Sequence, residues 1–411
     1  MRLSLPKLLD AQLVSVGLTG LGWEPPGNAS VLCSAKQPPE HVEPIALVAL
    51  AAWASAARAK GVRIVVDDSL KSPYLARTGL LRALATDVPS VHDIGGDERF
   101  LSLCRFRSSA QGERLVELLM PTLHLDRPEL KQAVCSVLRE LSVNAAEHGV
   151  SAQGAWVAAG WFPKQRRITV AIADLGVGIV GTTRRKGLLT AEDDERDAIE
   201  KALEYRITGA GEPGVPEAPN NGGLGLYWAR CYTQGCRGEM VIHTHRGRFS
   251  EGVSGQPEQL ELVEARWPGT LVSVTIRPDE LSKHRGLTFP TALSSPQYAP
   301  RLGRGPDDAL VLCPPVDSAG FAGTKEWYIH NQAALREALA GGRHVRLDFG
   351  GALYVVHSAA NALLGEPLRV GGPDWLRRVW VHNTRGPIDS ILRVVIADAL
   401  GDHARRVQLG P

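Results

Sequence analysis

Four polar residues with chemically useful side chains recur at four-residue intervals in and just before the sequence RELSVNAAEHG. They are Ser136, Glu140, Asn144 and His148. Residues four apart are neighbours on a helix surface, so the spacing predicts a polar stripe along one helix face. A glutamate there is suited to act as a general base, and a carboxamide oxygen is suited to Mg²⁺, which takes few protein ligands beside phosphate oxygens. An ordinary solvated helix edge would show the same pattern.

The elements around the stripe are an amphipathic helix and a hairpin. Apolar residues at helical spacing predict that the helix buries the face beside the stripe. They are Leu130, Val134, Val137, Leu138, Leu141 and Ala145. Residues 154–161 and 167–173 read as two strands, and the turn-like FPKQR between them predicts a β-hairpin.

The second predicted strand runs into a glycine-rich sequence, DLGVGIVG, residues 174–181. It matches the dinucleotide fingerprint G-x-G-x-x-G, but three features argue against that function. A hairpin precedes it instead of the first strand of a βαβ unit, and no clean apolar helix is predicted after it. Asp174 would also face the phosphates. A carboxylate at this place is better suited to accept a hydrogen bond from the amino group of adenine.

A second glycine-rich sequence, NNGGLGLYWARCY at residues 220–232, leads directly into a predicted helix. Exposed backbone N–H groups and the helix dipole suit an anion such as a polyphosphate. A helix start without a ligand is the alternative. The intervening residues, roughly 179–222, contain a predicted helix at 198–207 and the stretch GAGEPGVPEAPNN. They suggest either a lid that closes over a ligand or a surface loop.

Taken in order, E-L-x-x-N-A-x-x-H-G, D-x-G-x-G, N-G-G-L-G-L and a Gly-Thr before a strand resemble the GHKL family of ATPases. Its members share the Bergerat ATP-binding fold of histidine kinases, type II topoisomerases, related chaperones and mismatch-repair ATPases. The resemblance covers residues 126–278. Asn221 departs from the pattern, because many members have a glycine there.

The resemblance implies a role for each matching residue. Asn144 looks like the Mg²⁺ ligand, and Asp174 looks like the carboxylate that reads adenine, assisted by Thr270. Glu140 looks like the glutamate proposed as the base in members that hydrolyse ATP or phosphorylate serine. His148 would either approach a phosphate group or only pack against neighbouring residues. The remaining nucleotide-binding positions are glycines and leucines of the two loops: Gly176, Gly178, Gly223, Leu224, Gly225 and Leu226.

The form NAAEHG is most similar to anti-sigma-factor serine kinases and histidine kinases. A histidine kinase needs a helical hairpin that carries a phosphoacceptor histidine. His41 is the only candidate with some similarity, and no such hairpin is predicted around it. The topoisomerases and chaperones need large transducer domains of a different sequence pattern, which this sequence does not show.

The flanking regions are predicted to be small α/β domains. The sequence VRLDFGGALYVVHSAANALLGE, residues 345–366, is similar to STAS-like domains, in which a serine at the helix start can be phosphorylated. Here that residue is Ser358, for which a helix N-cap is the plainer reading. The N-terminal region follows a similar order of elements. We therefore expect an α/β multidomain protein: STAS-like residues 1–96, a GHKL domain at 97–280 (a mixed sheet with helices on one face), a linker at 281–307, and STAS-like residues 308–411.

Composition narrows the functional classes. The chain has 411 residues and a formal net charge of +2, which gives no electrostatic case for nucleic acid or an acidic membrane as the main partner. Its longest apolar stretch, IALVALAAWASAA, is shorter than the ~20 residues of a membrane span. The six cysteines form no C-x-x-C pair, which indicates reduced thiols in a cytosolic protein.

These observations predict a cytoplasmic regulatory protein that binds ATP and Mg²⁺. It is expected to hydrolyse ATP slowly and to control a protein partner or a second copy through lid closure. Two alternatives remain open: a serine kinase acting on a STAS-like antagonist, and a nucleotide-sensing scaffold without turnover. A dinucleotide oxidoreductase is a more distant possibility.

Overall fold

The computed structural model describes residues 2–9, 30–90, 100–108, 110–112, 114–115, 128–147, 151, 153–185, 187–204, 225–252, 257–281, 299–317, 320–384 and 386–409. These residues fall into two units. The first holds the elements up to residue 203 and those of 226–281, and the second holds those from residue 299 onward. No helix among these residues is long and apolar enough to cross a membrane.

An almost entirely apolar helix, α1 (Pro44–Ala59), lies at the centre of the first unit. Every residue from Pro44 to Ala54 is buried. A helix that is apolar all round must be covered on all sides. Its neighbours in sequence are the strands β1 (Arg2–Leu5), β2 (Leu8–Leu9), β3 (Ser30–Ala35), β4 (His41–Val42) and β5 (Arg63–Val66), and the helices α2 (Pro73–Arg77) and α3 (Leu80–Ala85). Strands β1, β3 and β5 form a parallel sheet, and α1 contacts β5 and α3.

A five-stranded sheet covers the rest of α1. It contains β6 (Phe100–Phe106), β7 (Ala155–Phe162), β8 (Arg167–Asp174), β9 (Glu239–Glu251) and β10 (Gln259–Ile276), in the order β6-β7-β8-β10-β9. Each neighbouring pair is antiparallel. The expectation of a mixed sheet is therefore wrong for this sheet. Successive strands β7–β8 and β9–β10 pair directly as hairpins, which requires opposite strand directions.

The two faces of this sheet are covered by different helices. Ala171 and Ala173 of β8 pack in one buried cluster with α1. Side chains alternate along a strand, so Ile172 and Asp174 face the opposite side. Helix α4 (Pro128–Glu147), which contacts β8 and β10, covers that side. The expectation of helices on one face only is wrong, because α1 from the N-terminal region covers the second face.

Four further helices belong to the described part of the first unit. Helices α5 (Gly178–Arg185) and α6 (Glu195–Leu203) contact β9 and β10, and α7 (Gly225–Gly235) precedes β9. A short helix, α8 (Pro278–Leu281), follows β10. The first half of the predicted lid is thus folded as α5 and α6 against the sheet. Its second half, residues 205–222, lies outside the described residues.

The N-terminal region and the five-stranded sheet share one core. Trp53 of α1 packs in the same buried cluster as Trp156 of β7 and Leu271 of β10. The predicted boundary near residue 97 therefore does not separate compact units. His41 lies on strand β4 and not on a helix, and its ring contacts Phe162 edge-on. The similarity of this region to STAS domains stays a prediction.

The described part of the second unit is a four-stranded parallel sheet with three helices. Its strands are β11 (Arg301–Leu302), β12 (Leu310–Leu312), β13 (Val345–Asp348) and β14 (Val379–His382), in the order β11-β14-β13-β12. Its helices are α9 (Lys325–Ala340), α10 (His357–Leu376), which is interrupted at Gly372, and α11 (Gly386–Leu409). Ser358 is the second residue of α10, and its side chain lies outside the description. Because β11 pairs with β14, that part of the predicted linker belongs to this sheet.

Replacing a small residue of α1 by a large one should destabilise the first unit. Ala49 is fully buried, so we expect Ala49→Leu to lower the free energy of unfolding by about 1–3 kcal/mol through overpacking. Tryptophan fluorescence during urea unfolding checks this, since Trp53, Trp156 and Trp267 lie in the same core. The control is Ala59→Leu at the exposed end of α1. Equal midpoints for the two variants would contradict the burial of α1 between two sheets.

Candidate functional site

The carboxyl end of strand β8 carries the central residue of the site, Asp174. Its Oδ1 accepts a hydrogen bond from the backbone N–H of Gly176 at 2.8 Å and a longer one from that of Thr270 at 3.4 Å. Thr270 lies on β10 beside the end of β8, because Leu271 pairs with Ala173. Among the described residues both donors reach the same oxygen, which leaves Oδ2 available to a ligand.

Burial makes Asp174 an unusual carboxylate. The residue is 3 % exposed. Burial raises its pKa from 3.8 to about 7, and the hydrogen bonds from Gly176 and Thr270 offset only part of this effect. No described cation contributes to the shift. Asp174 therefore changes its charge near neutral pH, as is common for residues in functional sites.

The glycine loop after Asp174 turns sharply into helix α5. Gly178, the first residue of that helix, has a φ of 69°, a left-handed conformation that glycine adopts without steric cost. A Cβ at this position would lie 2.6 Å from Oγ1 of Thr244 and 2.9 Å from Nε2 of His245. Helix α5 begins within the loop itself and ends at Arg185, so no long apolar helix follows the loop among the described residues. The preceding hairpin also argues against a dinucleotide site.

Side chains from β9 and β10 anchor both ends of this loop. Oγ1 of Thr244 accepts a hydrogen bond from the backbone N–H of Ile179 at 3.0 Å. Nε2 of His245 lies 3.2 Å from the carbonyl oxygen of Val177. The indole N–H of Trp267 donates to the carbonyl oxygen of Asp174 at 3.1 Å. The loop is thus fixed by the neighbouring strands and not by its own sequence alone.

Glu140 and Asn144 lie on α4, which packs against the same face of the sheet that carries Asp174. Their positions follow from the helix periodicity, because Val137, Leu138 and Leu141 are buried around them. Glu140 is only 5 % exposed, whereas Asn144 is half-buried. The helix therefore presents a nearly buried carboxylate and a more accessible carboxamide one turn apart.

Only some of the other predicted site residues lie in the described part of the chain. Gly225 and Leu226 form the start of α7, and both are buried. His148, Gly223 and Leu224 lie outside the described residues. Thr270 and the first glycine pair thus lie beside Asp174. Glu140 and Asn144 lie on the helix that covers the same face of the sheet.

Thr244, His245 and Trp267 were not predicted from the sequence. These residues carry no motif of their own, since they occur in strands whose alternation predicts only sheet structure. Gly269 is the glycine of the Gly-Thr pair that precedes the last predicted strand of the central domain. Its role is steric, because a Cβ there would collide with the backbone of Asp174 and Gly176.

Among the described residues no group of three or more histidine, cysteine, aspartate or glutamate side chains could hold a metal ion. The chain matches no protein-family model, no curated protein and no solved structure.

Asp174 should make the stability of the first unit depend on pH. Its folded pKa of about 7 lies above the unfolded value of 3.8. The stabilising contribution is therefore fully present below the unfolded pKa and is lost as the pH rises through the folded one. We expect Asp174→Asn to match the wild type near pH 4 and to exceed it by at most about 4 kcal/mol at pH 8.

Melting temperatures from pH 4 to pH 8 measure this difference, with Glu264→Gln at an exposed position of β10 as the control. Parallel curves for the wild type and Asp174→Asn over this range would show that Asp174 is ionised throughout.

Proposed function

We propose that this protein binds ATP through the face of the five-stranded sheet that carries Asp174, and that it acts as a slow Mg²⁺-dependent regulatory ATPase. The observation that carries the proposal is the state of Asp174. Its carboxylate is buried, anchored through one oxygen by two backbone N–H groups, and followed by a fixed glycine turn. A free carboxylate oxygen in an enclosed site suits the amino group of a purine better than it suits a phosphate.

The residues on α4 support the second half of the proposal. Glu140 is nearly buried, so its carboxylate is held in a low-dielectric environment where it can orient a water molecule as a base. Asn144 is more accessible and supplies a neutral oxygen. The phosphate groups of a nucleotide would thus face the carboxamide of Asn144. The carboxylate of Glu140 would lie one turn away on the same helix.

The donor set fits a magnesium ion that is bound mainly by the nucleotide. Mg²⁺ usually keeps several waters and takes one or two protein oxygens beside phosphate oxygens. A single carboxamide, that of Asn144, would meet that requirement. The ion would neutralise phosphate charge, while the chain itself orients the water and the base.

The regulatory part of the proposal rests on the organisation of the chain. The nucleotide site lies in a unit whose N-terminal elements share its core, and a second α/β unit follows. Nucleotide binding would control a protein partner or a second copy of the chain through the segment between α6 and α7. We place this activity in the cytoplasm, where the thiols of the six cysteines would stay reduced.

ATP should stabilise the wild-type protein, because a ligand that binds only the folded state raises the melting temperature. We expect a clear shift with ATP and Mg²⁺, a smaller one with GTP, which has a carbonyl oxygen in place of the adenine amino group, and none for Asp174→Asn with either. Differential scanning fluorimetry measures these shifts. Asp174→Asn should be at least as stable as the wild type, so its lack of response cannot reflect unfolding.

The control for this measurement is Asp307→Asn, at an exposed position of the second unit, which should respond like the wild type. No shift of the wild-type protein at millimolar ATP would refute the proposed function.

Glu140→Gln should separate binding from turnover. The substitution keeps the side-chain volume and removes the basic carboxylate, so ATP binding should persist while phosphate release falls about 100-fold to 10,000-fold. Phosphate release and γ-labelled ATP measure the outcome. Label transferred to protein would instead favour the serine kinase, and a wild type that binds ATP without any turnover would favour the scaffold.

A further inference from the structure

His245 of β9 is the one residue around the glycine loop whose own backbone is strained. Its φ is 49°, in the left-handed region, which few residues other than glycine adopt, although asparagine, aspartate and histidine do so more often than the rest. The position lies where the pairing of β9 with β10 shifts register, between Leu262 and Trp267 and between Trp267 and Thr270. Such irregularities re-aim side chains at the edges of functional sites.

The strained conformation brings two consecutive side chains to the same loop. In a regular strand, Thr244 and His245 would point to opposite faces. Here Thr244 accepts a hydrogen bond from the N–H of Ile179, and the imidazole of His245 meets the carbonyl oxygen of Val177. The two contacts hold the residues on either side of Gly178, so the irregular strand clamps the turn that follows Asp174.

Arg266 of β10 fixes which nitrogen of the imidazole carries the proton. Its guanidinium lies 3.3 Å from Nδ1 of His245. Arginine can only donate hydrogen bonds, so Nδ1 is the acceptor and Nε2 carries the hydrogen. Nε2–H therefore donates to Val177. The imidazole is thus held in one tautomer and orientation by an exposed arginine on one side and the loop carbonyl on the other.

We propose that His245 is a positioning residue of the nucleotide site, which holds the glycine loop so that the Asp174 carboxylate faces the purine. The inference rests on the proposed ATP binding. A strained residue is retained where the surrounding structure or the function requires it, and glycine would occupy this conformation at lower cost. The histidine side chain is therefore present for its contact with the loop.

Replacing His245 by glycine should weaken ATP binding without lowering the melting temperature. His245→Gly relieves the backbone strain and removes the contact with Val177. We expect a melting temperature equal to or above that of the wild type, with ATP affinity about tenfold weaker, as for the loss of one hydrogen bond. His245→Gln, whose side-chain amide can still donate to Val177, should recover most of the affinity. Isothermal titration with ATP and Mg²⁺ and thermal unfolding without ligand give the two readouts.

The matched control is Arg237→Gly, at another left-handed position of the same unit, with φ of 47°. It should leave ATP affinity unchanged. Wild-type affinity in His245→Gly would overturn the positioning role while the proposed function stands, and so would an affinity that falls only together with stability. A wild-type protein that binds no ATP would remove both.

Discussion

The first unit is organised around a carboxylate that water scarcely reaches. Burying a charged group is costly unless it is compensated, and Asp174 has only backbone N–H groups as partners among the described residues. Those partners come from two places, the glycine turn immediately after Asp174 and strand β10 beside it. The turn needs Gly178 in a left-handed conformation, and the approach of β10 needs Gly269 without a side chain. The geometry of the site is therefore a consequence of fitting this carboxylate into the end of a sheet.

Helix α1 supports the five-stranded sheet from the face opposite to Asp174. Its alanines allow the helix to lie close to β7 and β8, and Trp53, Trp156 and Trp267 fill the remaining space. The helix starts beside an ion pair of 2.7 Å between Glu43 and Arg167, at the opposite end of β8 from Asp174. Arg167 is almost buried there and Glu43 largely so. Strand β8 is thus fixed at one end by a charge pair to α1 and at the other by the contacts around the glycine turn.

Two residues around the glycine loop have properties that are unusual for their residue type. Asp174 is a buried carboxylate with a raised pKa, and His245 is a histidine in a conformation that favours glycine. Proteins tend to depart from local structural rules at functional sites and to compensate elsewhere. The two exceptions concern the same loop, since Asp174 begins it and His245 contacts its middle at Val177. Their proximity is a stronger argument for a binding site than either would be alone.

Periodicity in the sequence was sufficient to predict the amphipathic helix α4, the hairpin β7–β8 and the α/β character of the second unit, because these patterns are local. It also indicated Glu140, Asn144 and Asp174, through residue type and spacing along one element. Only the tertiary structure decided that α1 covers the second face of the sheet, that the sheet is antiparallel throughout, and that Thr244, His245 and Trp267 fix the glycine turn. These features depend on which strands become neighbours and where their register shifts. The burial that raises the pKa of Asp174 likewise depends on tertiary packing, which a local sequence pattern does not record.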